Sequence, residues 1–343
     1  MPDRVTVFAP GRVNLIGEHT DYNQGLALPF AISEGVTVRA RAVSAPRIQA
    51  HAVDLDRRDS FALERPPRSR GWRAFVRGAV AELQRAGVPL RGASLEITGG
   101  VPRGAGLSSS AALEVALTLA LMEVADAPPV DRIELARICS RVENDWVGAQ
   151  TGLLDQLASL LGEEDRALRI DFRSLEVEQV ALDLGDCKLV TLHSGDRHSH
   201  AGSGYNERRS ECARACEQLG VDSLRDATLD AAAGLPAPLD RRVRHVICEN
   251  ERVDAAVAAL QGRDIEQLGR LLDASHASLR DCYEISTPAV EQAVGALRDA
   301  GALGARIVGG GFGGHVLGLM PAGAREVDGA REVRPGPGAH VMS

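Results

Sequence analysis

Three ionisable side chains crowd into four positions near the start of the chain. Glu18, His19 and Asp21 follow a short apolar stretch within the segment Gly11–Gly25. Two carboxylates and an imidazole at this spacing can accept hydrogen bonds from several hydroxyls, as binding of a sugar requires. The same groups are also common ligands of metal cations. A solvated, charged loop is the third interpretation, so this segment alone leaves its chemistry open.

A glycine- and serine-rich segment, Gly99–Ala112, lies between a predicted strand and a predicted apolar helix. Glycine lets the backbone approach a ligand closely, and the free N–H groups at the start of a helix bind phosphate. The serine hydroxyls can cap that helix or bind Mg²⁺. The segment therefore suits a nucleotide phosphate, although a turn with serine caps and no ligand has the same composition.

A third glycine-rich segment, Gly309–Gly314, contains five glycines in six residues between two short predicted strands. Such a run loses much backbone entropy on folding, and a tight turn needs only one or two glycines. We therefore expect another group to approach this backbone closely.

Composition excludes several classes of protein. The 343 residues carry 39 Lys+Arg and 47 Asp+Glu, a net charge of −8, which argues against binding of nucleic acids or anionic membranes through bulk charge. Lys188 is the only lysine, so the chain has no Walker-type phosphate loop. Six scattered cysteines are typical of small core residues in a reducing compartment, and no uninterrupted apolar run is long enough to span a membrane.

The elements that must position these segments follow from the hydrophobic periodicity. Strands are predicted near 5–8, 36–42, 95–97, 168–172, 188–192, 306–308 and 315–319. Helices are predicted near 72–87, 109–124 and 135–146, and a mostly helical region from 205 to 300 is broken at 234–238. This pattern indicates an α+β fold in two parts, which we divide into domains 1–178 and 179–343. The tail after Ala322 receives no assignment.

Together the three segments resemble those of a known superfamily. Gly11–Gly25 closely resembles the galactokinase signature, and Gly99–Ala112 resembles the phosphate-binding motif of the GHMP small-molecule kinases, the superfamily that contains the galactokinases. Gly309–Gly314 resembles the third motif of that superfamily, and all three segments occur in its order. The resemblance covers nearly the whole chain, and the superfamily, like this chain, uses no Walker lysine.

The resemblance implies a two-lobed GHMP kinase fold with the active site in the cleft between an N-terminal and a C-terminal α+β domain. It implies ATP-dependent phosphorylation of the anomeric hydroxyl of D-galactose to galactose 1-phosphate, the first committed step of galactose catabolism in the Leloir pathway. ATP is then the co-substrate and Mg²⁺ the cofactor. A cytoplasmic enzyme is expected, with no nucleic-acid, membrane or obligate protein partner.

The resemblance also assigns residues. Arg12 and Asp155 match the catalytic positions, where the arginine offsets charge on the phosphoryl group and the aspartate receives or orients the hydroxyl proton. Ser110 and Glu143 match the Mg²⁺ ligands. The sugar-binding positions correspond to Glu18, His19, Asp21, Gly152, Asp155 and Tyr205. The ATP-binding positions correspond to Trp72, Gly104, Gly106, Leu107, Ser108, Ser109 and Ser110.

Three alternatives accompany this interpretation. The first is a kinase for a close sugar analogue such as N-acetylgalactosamine. The second is a non-enzymatic sensor of galactose and ATP on the same fold, but such relatives lose part of the stretch that Ser108–Ala112 here retains in full. The third is a kinase for another alcohol, such as mevalonate or homoserine. Kinases of that kind lack the run that is Glu18–Tyr22 here, which argues against this alternative. Relative to the family, the region between Ala45 and Gly71 is short.

Overall fold

The computed structural model describes residues 4–100, 107–196 and 201–342, and it has the predicted α+β composition. The strands are β1 (Arg4–Asn14), β2 (Leu26–Ala27), β3 (Pro29–Ala42), β4 (Arg47–Ala52), β5 (Arg57–Ala62), β6 (Ala93–Gly99), β7 (Arg166–Asp171), β8 (Glu176–Ala181), β9 (Lys188–His193), β10 (Gly304–Ile307), β11 (His315–Met320), β12 (Arg331–Val333) and β13 (His340–Met342). The α-helices are α1 (Trp72–Arg85), α2 (Ser109–Ala125), α3 (Arg132–Arg141), α4 (Leu154–Leu161), α5 (Ala201–Leu219), α6 (Leu229–Ala233), α7 (Leu239–Gln261), α8 (Ile265–Asp281) and α9 (Pro288–Asp299).

The first sheet has the strand order β13-β1-β3-β6-β4-β5, and helix α2 packs on β1 and β3. Most residues of α2 are buried on every side, because α1, α3 and α4 also contact it. A helix that is apolar all round is stable only inside a core. This packing holds the start of α2, where the serine-rich segment lies, against the end of the sheet.

The second sheet has the order β10-β11-β9-β12, with α8 and α9 packed against β10. β10 and β11 are antiparallel neighbours and enclose the glycine run Gly309–Gly314, as the sequence predicts. His315 begins β11, and its ring contacts the ring of His193 on β9 at 4.9 Å between centroids. The expectation that His315 is a strand residue is confirmed.

The two halves of the chain share structure. β8 continues across the proposed boundary at 178/179, and it joins β2 and β7 in a third sheet. One hydrophobic core combines Val13 and Leu15 from the start of the chain with Val253 and Leu317 from its second half. The division into domains 1–178 and 179–343 stays a prediction, and the packing holds both halves closely together around the site described below.

Three local features differ from the sequence-based expectation. The first strand, predicted near 5–8, continues through Pro10 to Asn14, because a register shift between Pro10 and Arg12 accommodates the missing N–H of proline. The short region after Ala45 forms the β4–β5 hairpin. The tail left unassigned contributes β12 to the second sheet and β13 to the first.

Two further expectations concern composition. Each of the six cysteines lies within the described ranges and is a free thiol. No described helix combines the length and the hydrophobicity needed to cross a membrane.

Candidate active site

A cavity of about 430 Å³ lies where five distant parts of the chain converge. Its walls come from the end of β1 and the loop after it, from 148–155, from the start of α5, and from Gly309–Gly311, with Ser110 at the start of α2. This volume suits a small polar molecule together with part of a second ligand. Each of the three sequence motifs contributes to its lining: Arg12, Glu18, His19 and Asp21 come from the first, Ser110 from the second and Gly309–Gly311 from the third.

Arg12 and Asp155 form an ion pair in the wall of the cavity. The Nε and Nη2 atoms of Arg12 lie 2.8 and 2.7 Å from Oδ1 of Asp155. The Arg12 side chain is 8% exposed, whereas that of Asp155 is 25% exposed and therefore reaches the open space. Because β1 continues through its bulge, the buried guanidinium is directed at the first turn of α4.

The second oxygen of Asp155 is also held. Ser108, the residue before α2, donates its hydroxyl hydrogen to Oδ2 of Asp155 at 2.5 Å. Ser108 has a left-handed backbone (φ 59°), which is uncommon for a residue with a side chain. Ser108, which the family resemblance assigns to the ATP site, therefore also contacts the catalytic candidate Asp155 directly. Both oxygens of Asp155 are therefore oriented before any ligand binds.

Glu18 lies at the back of the cavity, 4% exposed. Its Oε1 accepts the N–H of Gly309 at 2.8 Å and lies 3.6 Å from Nη2 of Arg306. Burial raises the pKa of the Glu18 carboxyl, while the positive charges of Arg306 and Arg12 oppose that rise. The contact with Gly309 joins the first motif to the third glycine run.

His19 is buried beside Glu18, with its backbone in the left-handed region (φ 61°). Its ring lies 5.2 Å from the ring of Tyr205, measured between centroids. Burial lowers the pKa of His19 to about 3, so the imidazole is neutral at physiological pH. A neutral imidazole offers one hydrogen-bond donor and one acceptor.

Asp21 faces the segment that precedes Asp155. A Cβ atom at Gly152 would lie 2.0 Å from Oδ2 of Asp21, so only glycine fits without displacement of that carboxyl. Burial raises the pKa of Asp21 to about 6, and the neighbouring charge of Asp155 adds to the rise. Tyr205 lies close to the third glycine run, since a Cβ at Gly310 would lie 3.2 Å from its ring. The close approach expected of this run therefore comes from Glu18, from Tyr205 and, most tightly, from Ile285, since a Cβ at Gly311 would lie 2.6 Å from Cβ of Ile285.

Glu143 lies one hydrogen bond behind the cavity wall, in a π-helical turn (Val142–Val147). Its Oε2 accepts hydrogen bonds from Thr151 Oγ1 at 2.8 Å and from Gln156 Nε2 at 3.0 Å. Burial raises the pKa of Glu143 to about 7, and repulsion from Asp155 contributes. Thr151 and Ser110 line the cavity itself.

The described residues contain no group of three or more His, Cys, Asp or Glu side chains able to hold a metal by themselves. A serine hydroxyl and one carboxylate are hard oxygen ligands of the kind Mg²⁺ prefers, and Mg²⁺ usually takes its remaining ligands from nucleotide phosphates and water. Ser110 lines the cavity, and the carboxylate of Glu143 is bonded to Thr151 of the cavity wall, so the two residues have the chemistry of that partial ligand set. Because two protein ligands are too few for Mg²⁺, the remaining ligands would have to come from the phosphates of a bound nucleotide and from water.

The other residues assigned to ATP are only partly placed. Leu107 is buried, and its carbonyl accepts the N–H of Arg12 at 3.2 Å, while Ser109 begins α2. Trp72 begins α1 and packs against the core of the first sheet instead of lining the described part of the cavity. Gly104 and Gly106 lie outside the described residues. Binding of ATP by these residues stays a prediction.

Sequence reasoning missed several residues of the site. Gln156 is fully buried and holds Glu143, and Thr151 does the same from the cavity wall. Arg306 is also fully buried and donates to the carbonyls of Asn14 and Leu15 at 3.1 and 2.9 Å. A lone arginine in an otherwise apolar strand was an available signal for Arg306. Neither Thr151 nor Gln156 has any such signal.

Three family models match this chain. They are the GHMP kinases N terminal domain over residues 74–163, the galactokinase galactose-binding signature over residues 2–42, and the GHMP kinases C terminal domain over residues 256–333. Each coincides with one of the three motifs or with the helices and strands around it.

Curated relatives and solved structures extend the likeness to the whole chain. Galactokinases of Mycobacterium tuberculosis and Mycobacterium bovis are each 45% identical over 336 residues, covering 96% of this chain and 91% of theirs. A crystal structure of Lactococcus lactis galactokinase complexed with galactose is 31% identical, with a TM-score of 0.92, covering 98% of this chain and 95% of that one. Methanococcus jannaschii mevalonate kinase, 18% identical with a TM-score of 0.70, covers 97% of this chain and 98% of its own and shares the fold.

Proposed function

Because the chain belongs to the galactokinases of the GHMP kinase superfamily, we propose that its cavity transfers the γ-phosphoryl group of ATP to the anomeric hydroxyl of D-galactose. The product is galactose 1-phosphate, and the other product is ADP. The single observation that carries this assignment to particular residues is the convergence of Arg12, Asp155, Glu18, Asp21 and Tyr205 on one cavity.

The reaction centre is Asp155. We place the anomeric hydroxyl beside Oδ2, which accepts a hydrogen bond from Ser108, because Oδ1 already faces two nitrogen atoms of Arg12. As the hydroxyl oxygen bonds to the γ-phosphorus, the bond from that phosphorus to the β–γ bridging oxygen breaks, and the hydroxyl proton passes to Asp155. Arg12 holds the carboxylate in place through Oδ1 and lends positive charge to the transferring phosphoryl group.

The sugar is recognised by the polar groups around it. We assign Asp21 and Tyr205 to the hydroxyl at carbon 4, and Glu18 and His19 to the hydroxyl at carbon 6. Gly152 leaves the space that the Asp21 carboxyl fills, and a backbone group there contacts the sugar. A buried site of this kind discriminates strongly, because a wrong epimer leaves its polar groups unpaired.

The nucleotide phosphates are assigned to the start of α2, because the first N–H groups of a helix have no partner within the helix and Ser110 lines the cavity there. We assign Ser110 and Glu143 to the Mg²⁺ that accompanies ATP, with Thr151 and Gln156 holding the Glu143 carboxylate in position. When bound, the metal neutralises charge on the phosphates. A cytoplasmic location is also proposed, because all six cysteines are free thiols, as a reducing compartment favours.

The metal assignment makes a specific prediction. Glu143→Ala removes a carboxylate ligand, so the Mg²⁺ concentration that gives half-maximal activity should rise several-fold, while the apparent KM for galactose changes little. The measurement is activity titrated with Mg²⁺ at saturating galactose. Glu134→Ala, which removes an exposed carboxylate of α3, is the matched control and should titrate as the wild type does. An unchanged titration in Glu143→Ala would remove this residue from the metal site.

The substrate assignment is tested by a panel of alcohols with ATP, read by release of ADP. D-Galactose should be phosphorylated, whereas D-glucose, which differs only in the orientation of the hydroxyl at carbon 4, should stay near background. Faster turnover of N-acetylgalactosamine than of galactose would establish the analogue kinase instead. Binding of galactose and ATP without any ADP release would establish the non-enzymatic sensor.

A further inference from the structure

The chain contains three tyrosines in 343 residues, and all of them surround His19. The hydroxyl of Tyr22 lies 2.8 Å from Nδ1 of His19. The rings of Tyr205 and Tyr283 lie 5.2 and 4.8 Å from the His19 ring, measured between centroids. Tyrosine combines a large apolar ring with one polar atom, so a cluster of three supplies both packing and hydrogen bonds.

A chain of polar atoms leads from His19 into the protein interior. The hydroxyls of Tyr22 and Tyr283 are 3.2 Å apart, and the Tyr283 hydroxyl lies 2.9 Å from Sγ of Cys212. Tyr283 is fully buried and Cys212 is 2% exposed. Asn23 closes the chain, since its Nδ2 donates to Sγ of Cys212 at 3.6 Å and to the carbonyl of His19 at 2.9 Å.

This series of hydrogen-bonded groups matters because it can determine how the neutral imidazole of His19 bonds to a ligand. One ring nitrogen carries the proton and donates, while the other accepts, and the hydrogen bond at one nitrogen determines the role of the other. Nδ1 of His19 lies within hydrogen-bond distance of Tyr22, whereas Nε2 is buried without a hydrogen-bond partner among the described residues. The backbone of Gly310, which lines the same cavity, lies beside the ring, so Nε2 is the nitrogen that can meet a ligand. Each link in the chain shares a single proton, so the direction of every hydroxyl is coupled to the tautomer of the imidazole.

We propose that the chain Tyr22–Tyr283–Cys212 holds His19 in a single tautomer, so that Nε2 meets a sugar hydroxyl in one fixed hydrogen-bonding sense. Tyr22 is then a positioning residue for sugar selection, acting through His19. The inference rests on the proposed function, because the ligand of Nε2 is the galactose hydroxyl at carbon 6. Burial, which lowers the pKa of His19 to about 3, keeps the ring in the neutral form that this role needs.

The test uses Tyr22→Phe, which keeps the ring and removes only the hydroxyl. Loss of one hydrogen bond to the neutral imidazole should raise the KM for galactose about fivefold. The value of kcat and the KM for ATP should stay within about twofold, since the hydroxyl of Tyr22 bonds to His19 and Tyr283 and, among the described residues, has no hydrogen bond to Asp155 or Ser110. With 6-deoxygalactose, which lacks the hydroxyl at carbon 6, wild type and Tyr22→Phe should have the same KM.

Two further variants test whether the rise in the KM for galactose depends on these hydrogen bonds. Tyr283→Phe breaks the second link and should raise the KM for galactose less than Tyr22→Phe does. Thr118→Val is the matched control, because it removes a buried hydroxyl whose hydrogen bonds, in the part of the chain that the structure describes, go to its own helix and to Cys139. Thr118→Val should leave the KM for galactose unchanged even if it lowers the melting temperature.

A spectroscopic measurement reads the tautomer directly. ¹⁵N NMR of the histidine rings, with the His19 signals identified by their loss in His19→Gln, should show one tautomer in the wild type and a mixture in Tyr22→Phe. A mixture in the wild type, or one unchanged tautomer in Tyr22→Phe, overturns the proposal. An equal rise in KM for galactose and for 6-deoxygalactose also overturns it, because that result is typical of altered packing.

Failure of the proposed function gives a different result. A wild-type protein that releases no ADP with galactose would refute the sugar kinase, yet the NMR spectra of the ligand-free protein would still report whether the tyrosine chain holds one tautomer.

Discussion

Asp155→Asn should lower kcat at least ~100-fold while galactose still binds, because it removes the group that receives the hydroxyl proton. The geometry of the site allows asparagine to replace Asp155 without displacing its neighbours. The amide oxygen can take the place of Oδ1 opposite Arg12, and the amide nitrogen can face Ser108, whose hydroxyl can turn to accept. The variant therefore keeps its shape and most of its hydrogen bonds and loses the negative charge.

The measurement is steady-state turnover together with galactose binding by calorimetry. Asp145→Asn is the matched control, because Asp145 belongs to the π-helical turn nearby and its side chain is 49% exposed. That control should keep wild-type turnover. Near-normal kcat in Asp155→Asn would exclude proton transfer to this residue and leave it, at most, an orienting role.

Asp21→Ala should lower kcat/KM for galactose by ten- to a hundredfold, with the KM for ATP nearly unchanged. A charge-assisted hydrogen bond to a sugar hydroxyl contributes roughly 1.5–3 kcal/mol, which corresponds to that range. Steady-state kinetics with each substrate varied in turn provide the measurement. Asp56→Ala, which removes a carboxyl that is 95% exposed, is the control and should behave as the wild type does. A selective rise in the KM for ATP would place Asp21 in the nucleotide site.

The same residue carries a pH dependence. The pKa of Asp21 is raised to about 6 by burial, so its carboxyl is charged above that pH and loses its charge as the pH falls through it. In the wild type, the KM for galactose should therefore rise between pH 7.5 and 5.5. Asp21→Asn, which has no charge to lose, should show a flatter profile over this interval. A wild-type KM that does not change with pH would contradict the assigned contact.

Much of the site could be predicted from local sequence. Glu18, His19 and Asp21 are nearly adjacent, so any fold that buries them together produces a polar pocket. The helix α2 and the glycine run before β11 follow from periodicity and from composition, which act over a few residues. The β4–β5 hairpin was not predicted from the sequence. It lies at the edge of the sheet, where charged residues such as Arg57, Arg58 and Asp59 obscure the alternation of apolar and polar residues that marks a strand.

The partners of these groups were decided by tertiary structure alone. Arg12 lies 143 positions from Asp155 in the sequence and Ser108 lies 47 positions from it, yet each is within hydrogen-bond distance of the Asp155 carboxylate. The resemblance to a family named Arg12 and Asp155 as catalytic, but no pattern in the chain indicates that Ser108 holds the second oxygen. Likewise, Cys212 and Tyr283 look like ordinary core residues in the sequence, and they join the chain behind His19 only because α5 and the loop after α8 pack there. Periodicity records which face of an element is buried, whereas contacts between distant side chains depend on how the buried faces of separate elements fit together.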